Sequence, residues 1–146
     1  MQIKNFIYGL LATALLLLCI WGYLVYEEPA LKNVTTADTT KNLRVEELIK
    51  LFKDNESEAN LNYVDKVIEV EGTIKDISTI NDRYTILLKS ELFTKHFIMC
   101  DMSPSSLKEI NKLVIGDTIT LKGICKGYLL DVIMLNCIPI NEKSKN

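Results

Sequence analysis

KVIEVEGTIK, residues 66–75, alternates apolar and charged side chains with a period of two. Ile68, Val70, Gly72 and Ile74 fall on one side and Glu69, Glu71, Thr73 and Lys75 on the other, the pattern of a half-buried β-strand. Gly72 stands where a side chain would normally pack, and a glycine inside a strand marks a bulge or a bend at a barrel corner. One strand bent in this way can serve two sides of a barrel.

Downstream the same period recurs. Asn81-Asp82 reads as a turn before Tyr84, Ile86 and Leu88, and a third strand follows over Phe97-Ile98-Met99-Cys100. The period then becomes helical, with Ser103 as N-cap before Pro104 and with Ser106 and Glu109 as an alternative capping box. Leu107, Ile110 and Val114 supply the apolar face of this helix. Gly116-Asp117 turns the chain into Ile119, Leu121, Gly123 and Cys125, and a second turn near Gly127-Tyr128 leads to Ile133, Leu135 and Cys137. The order β-β-β-α-β-β is that of the OB-fold, a five-stranded barrel with its helix between the third and fourth strands. Upstream, Val45, Leu48, Ile49 and Phe52 recur at i, i+3, i+4 and i+7, the apolar face of a short helix. Asn55 and Glu58 have capping-box spacing for a second short helix ending near Tyr63.

The N-terminal part has a different character. FIYGLLATALLLLCIWGYLVY, residues 6–26, is uncharged throughout and long enough as a helix to cross a bilayer core. Lys4 on one flank and Glu27-Glu28 on the other orient it with residue 1 in the cytoplasm, and Trp21, Tyr23 and Tyr26 suit the far headgroup layer. A cleaved signal peptide ends at small residues, whereas this run ends in bulky ones, so a retained signal anchor is the expectation. Leu18 before Cys19 lacks the small residue of a lipidation site, which leaves Cys19 as an apolar residue in lipid. The expected organisation is a cytoplasmic N-terminus (1–5), a single transmembrane helix (6–26), a flexible Thr-rich linker (27–42), an OB-fold domain (43–140) and a polar tail (141–146). The domain then lies outside the cytoplasm, periplasmic or extracellular, on a single-pass cell-membrane protein.

The sequences YVDKVIEVEGTIKDI, FIMCDM and LVIGDTITLKGICKGYLLDVIMLNC together resemble the tRNA_anti-like family of bacterial OB-fold proteins over roughly residues 43–138. Its more specific pieces are KVIEVEG at 66–72, GDTITLKG at 116–123 and the cysteines at 100, 125 and 137. The resemblance implies a fold and a secreted, lipidated or membrane-tethered setting. The family name records a likeness to tRNA anticodon-binding barrels, and no binding residues carry over from it.

Composition limits the chemistry. The chain of 146 residues carries a formal net charge of −2, and Lys4 is the one charged residue before Glu27. The domain therefore has no basic excess to neutralise phosphates. His96 is the sole histidine and has no patterned nucleophile, and no C-x2-C spacing points to zinc, so neither catalytic nor metal nor cofactor residues are assigned. Cys100, Cys125 and Cys137 share the phase of the apolar residues, with core packing as the first reading and a Cys125–Cys137 disulfide as the second.

The expected function is that of a non-catalytic, membrane-anchored module binding an envelope protein or other macromolecule. The alternative is a single-stranded nucleic-acid binder of the tRNA-anticodon or ssDNA kind. Barrels of that type use aromatic platforms and a cationic groove. The residues that could serve, for nucleic acid or another partner, are Arg83, Tyr84, Lys89, Phe93, Lys95, Phe97, Lys126 and Tyr128. Core and rim packing competes for the aromatic ones.

Overall fold

The computed structural model describes residues 2–26, 34–39 and 41–140. Residues 27–33 of the expected linker and the tail 141–146 lie outside the described residues. The chain divides into two units, Met1–Ala30 and Leu31–Asn146.

The first unit is one helix, α1 (Gln2–Tyr26), which takes up the whole apolar run and most of the tail expected before it. Its side chains are described at Tyr8 and over 10–22, where every residue is exposed. Among the described residues no helix is long and apolar enough to cross a membrane. The helix expected here is thus observed.

The second unit is a closed barrel. Its elements are β1 (Asn42–Arg44), α2 (Val45–Asp54), α3 (Glu56–Tyr63), β2 (Val67–Ile80), β3 (Arg83–Lys89), β4 (Phe97–Met102), α4 (Leu107–Ile110), β5 (Thr118–Tyr128) and β6 (Val132–Ile140). The strands run β1-β2-β3-β4-β6-β5, and β2 closes back on β5. The five strands β2–β6 with α4 between the third and fourth have OB-fold topology. The 14-residue β2 makes closure possible: residues 67–73 pair with β5 and residues 73–80 with β3. A bulge at Lys75, between Ile74 and Asp76 in the register, lets the strand turn the corner.

Gly72 has a second reason. A Cβ there would collide with Cγ2 of Val45, so the glycine is what lets the first residue of α2 seat on the barrel. Val45, Leu48, Ile49 and Phe52 are all buried, and full burial of such side chains stabilises by about 1.5–3 kcal/mol each. The helix entry is tied by the Arg44 amide donating to Glu47 Oε2 at 3.0 Å. Asn55 then serves two helices. Its backbone N–H donates to Leu51 O at the end of α2, and its side-chain oxygen accepts from the Glu58 amide at the start of α3. Because that N–H is already used, the Glu58 carboxylate takes the Asn55 side-chain amide instead, at 3.1 Å.

Several elements differ from the sequence expectation. Composition places residues 34–39 in the spacer, yet Val34 is buried, Lys122 Nζ donates to Ala37 O at 2.6 Å, and Thr39 Oγ1 donates to Glu69 Oε1 at 2.7 Å. The segment continues into β1, which pairs in parallel with residues 69–71 of β2 where β3 does not reach. It thereby covers the outer side of β2 and β5. In β6 the inward residues are Val132, Met134 and Cys137 rather than Ile133, Leu135 and Cys137. Asn136 has a φ of 55°, and the register slips there, so the phase changes by one residue. The hairpin joining β5 and β6 turns at Leu129–Asp131, beyond the expected Gly127-Tyr128. At α4, Ser103 caps through Ser105, and Ser106 donates to Ser103 O instead of capping. Val114 is exposed and Leu113 packs on the core in its place.

Candidate ligand-binding face

With β2 and β5 covered by residues 34–39 and the core closed by α2, the outer side of β3, β4 and β6 is left open. Alternation decides what it shows. Ile86 and Leu88, Ile98 and Cys100, and Val132 and Met134 point inward and are fully buried. Leu87, Met99 and Ile133 lie between them and therefore point out. The register sets Leu87 opposite Met99 and Met99 opposite Ile133, forming one apolar row across three strands. Met99 is 38% exposed. Beside this row runs a shallow groove of about 390 Å³ along Ile80, Thr85, Met99, Ile133 and Leu135.

Charge frames the row. On one side Arg83 pairs with Asp101. On the other, Lys89 stands opposite Phe97, and Lys75 Nζ sits 3.5 Å from the centre of the Phe97 ring, a cation–π contact. A larger groove, of about 460 Å³, lies at the start of α2 among Arg44, Glu46, Glu47, Glu71, Lys89 and Glu91. Its acids outnumber its bases, which suits neither phosphate nor an apolar ligand.

Of the residues singled out from the sequence, Arg83, Lys89 and Phe97 share this outer face. Tyr84, Phe93 and Tyr128 pack against the core instead. Tyr84 is in phase with Ile86 and Leu88; Phe93 lies in the β3–β4 loop with Lys53 Nζ 5.5 Å from its ring centre; and Tyr128 stacks on Phe52 with centroids 6.0 Å apart. Lys95 is exposed in the same loop, and Lys126 pairs with Asp65 at 2.5 Å. The aromatic groups are thus not gathered into one stacking platform. Leu87, Met99, Ile133 and Leu135 were missed because each sits beside buried apolar residues in sequence. A strand apolar on both faces was the available signal.

His96 is not a strand residue but a latch between loops. Its Nε2 is 3.0 Å from Lys53 Nζ, and its Nδ1 is 3.1 Å from Leu130 O and 3.0 Å from Tyr128 OH. A carbonyl oxygen can only accept, so the ring donates from Nδ1 to Leu130 O. Burial, then Asp131 and Glu56, push the Tyr128 phenol above its ordinary value. Among the described residues the hydrogen-bond partners of His96 are Lys53, Leu130 O and Tyr128, with no carboxylate among them to orient the imidazole and no serine, threonine or cysteine.

Cys100, Cys125 and Cys137 are all buried and all free. The Cys125–Cys137 bridge offered as one reading is not formed in the structure. A side-chain hydrogen bond with Cys100, then burial, pushes the Cys137 thiol well above its ordinary range. Burial also raises Cys125, opposed in part by the Gly127 backbone. Among the described residues no three His, Cys, Asp or Glu side chains gather as metal ligands do.

Closed topology, a bent first strand and an open outer face across β3, β4 and β6 define an OB-fold protein. The chain belongs to the tRNA_anti-like family, whose model matches residues 1–138 and so takes in α1 as well as the barrel. No curated protein matches it. Among solved structures, the chain is similar to a presumed nucleic acid-binding lipoprotein from Klebsiella pneumoniae, at 19% identity, with 68% of this chain and 91% of that one covered and a TM-score of 0.57. It is also similar to yeast Stn1 and Ten1, at 15% identity, over 74% of this chain and 66% of that one, with a TM-score of 0.43. At 19% identity and a TM-score of 0.57 the likeness to the first is one of fold.

Proposed function

We propose that the chain is a non-catalytic binding module of the bacterial envelope, anchored by α1 and engaging a protein partner through the outer face of β3, β4 and β6. The observation that carries this reading is the apolar row Leu87, Met99 and Ile133, on the side of an OB barrel that commonly meets ligands. An apolar row framed by charge is the composition of a protein interface, an apolar centre with a polar rim. The anchor is supported by an uncharged run of 21 residues inside a 25-residue helix; at the helical rise the run alone spans about 30 Å, the thickness of a bilayer core. Lys4 before it and Glu27-Glu28 after it favour a barrel outside the cytoplasm.

The test is photo-cross-linking from position 99 in cells that produce the full chain. A discrete envelope-protein adduct, lost on Leu87→Asp or Ile133→Asp, is expected. A second reading, single-stranded nucleic acid, is favoured by Lys75 and Lys89 around Phe97. It requires saturable oligonucleotide binding that falls steeply with salt and is weakened by Lys89→Glu, and that result would replace the first reading.

A further inference from the structure

The barrel has two hairpins built by opposite rules. Between β2 and β3 the turn is Asn81-Asp82, with φ of 51° and 61°, the residue types that accept a left-handed backbone. Between β5 and β6 the tip is Leu129-Leu130, whose side chains are 79% and 82% exposed. Turn chemistry does not call for leucine, and neither side chain belongs to the core. The tip is nevertheless held firmly. The Leu129 amide donates to Asp131 O at 3.2 Å, and Leu130 O accepts from the His96 ring. Asp131, the turn's one acid, has Oδ1 turned back to accept from the Phe97 amide at 2.8 Å. Behind the tip, on the far side of the His96 ring, stands Lys53, and Lys95 is exposed next to His96 in the chain.

Two bare leucines on an ordered tip, backed by lysines, fit the boundary of a lipid surface, with apolar side chains among acyl chains and ammonium groups at phosphates. Chain length favours that occupant over others. Tyr26 ends α1 and Val34 is already buried in the barrel unit, eight residues on. Eight residues reach at most about 28 Å even when fully extended. A barrel so tethered stays within roughly its own diameter of the membrane, where weak insertion is reinforced by a high effective concentration. We infer that Leu129 and Leu130 dock the barrel on the bilayer that α1 anchors it to; the inference rests on the anchor reading.

The experiment uses the full chain in vesicles of phosphatidylethanolamine and phosphatidylglycerol. An environment-sensitive fluorophore is placed at Leu130→Cys and, separately, at Asn81→Cys, both with Cys19→Ser. The buried thiols stay unlabelled in the folded protein. The label at 130 is expected to shift to the blue and lose emission to nitroxide-bearing acyl chains, while the label at 81 does neither. Leu129→Asn should reduce both effects at 130 with an unchanged thermal melt, since the Leu129 side chain stands outside the core and is mostly exposed. A label at 130 that stays in water while the protein resists carbonate extraction would overturn the docking and leave the anchor standing. A blue shift without nitroxide quenching would also overturn it, by identifying a protein contact. Extraction by carbonate would remove the anchor reading and the docking together.

Discussion

Replacing Gly72 with alanine tests whether the barrel corner and the seating of α2 depend on one missing methyl group. The new Cβ would overlap Cγ2 of Val45 and lie 3.3 Å from Leu88 Cβ and 3.4 Å from Val45 Cβ. Val45 and Leu88 are fully buried, so neither can swing into solvent, and overpacking of this kind costs about 1–3 kcal/mol. Gly72 is not among the residues with positive φ, so alanine also recovers about 0.4–1 kcal/mol from the unfolded chain. The net expectation is a loss of about 1–2 kcal/mol, or roughly 5–15 °C in Tm for a unit of this size. Val45→Ala alone should cost about 2 kcal/mol, from lost burial plus a small cavity. In that background the worst overlap is gone and only the contacts at 3.3 Å with Leu88 Cβ and 3.4 Å with the Cβ of residue 45 remain, so Gly72→Ala should become close to neutral. The assay is urea unfolding of the 31–146 unit followed by far-ultraviolet circular dichroism, since Trp21 lies in the other unit. A neutral or stabilising Gly72→Ala in the wild-type background, or additive costs in the double variant, would refute the close-approach argument and leave the bulge at Lys75 as the sole reason for the bend.

Asn136→Val should cost about 1–2 kcal/mol because a β-branched residue resists a φ of 55°, whereas Asn136→Gly should change the melt little; thermal unfolding separates the two. Alanine at Tyr84, Phe93 or Tyr128 should destabilise the barrel by about 2 kcal/mol or more through lost core contacts, while Phe97→Ala should cost less; paired unfolding and oligonucleotide-anisotropy measurements would expose any binding role separate from folding. The thiols of Cys125 and Cys137 are raised above 9.0, so the stabilisation their neutral forms provide is complete below that pH and is lost as pH rises through the folded values. Melts from neutral pH upward should show alkaline destabilisation that is reduced in Cys125→Ala/Cys137→Ala. Ellman's reagent should reach neither thiol until the barrel unfolds.

Where local chemistry and fold agree, the sequence is legible. The alternation of 66–75, the helical spacing of Val45 to Phe52, the Asn55–Glu58 cap and the Asn81-Asp82 turn all appear where their residues say they should. Legibility fails where one residue changes the phase or where a partner lies far along the chain. Counting alternation backward from Cys137 puts Leu135 and Ile133 inside, and only the left-handed Asn136 moves them out. Nothing in a Thr-rich segment announces that Ala37 O will meet a lysine 85 positions away. The candidate face was legible by its charged rim at Arg83 and Lys89, but its centre was not. Leu87, Met99 and Ile133 each stand between inward apolar neighbours, and a period of two cannot say which of three adjacent apolar residues faces out.

That apolar centre narrows what the face can bind. Exposed apolar rows on an otherwise charged surface mark interaction sites, and here the row is not accompanied by the stacked aromatics that single-stranded nucleic acid uses. Arg83 and Lys126 are already engaged by Asp101 and Asp65, so two of the four candidate cations would have to break an ion pair before meeting phosphate. Such exposed pairs are worth little, about 0–1 kcal/mol, so they do not forbid nucleic acid by themselves. They do remove charge from the field that would steer it, in a chain whose net charge is −2. With the anchor as proposed, the eight residues from Tyr26 to Val34 could reach at most about 28 Å, which adds a geometric condition: the partner would have to come to the membrane surface. On the proposed reading a membrane-resident or envelope protein would meet the apolar row, the paired cations and the short reach together, whereas an oligonucleotide would have to bind through Lys75 and Lys89 around Phe97.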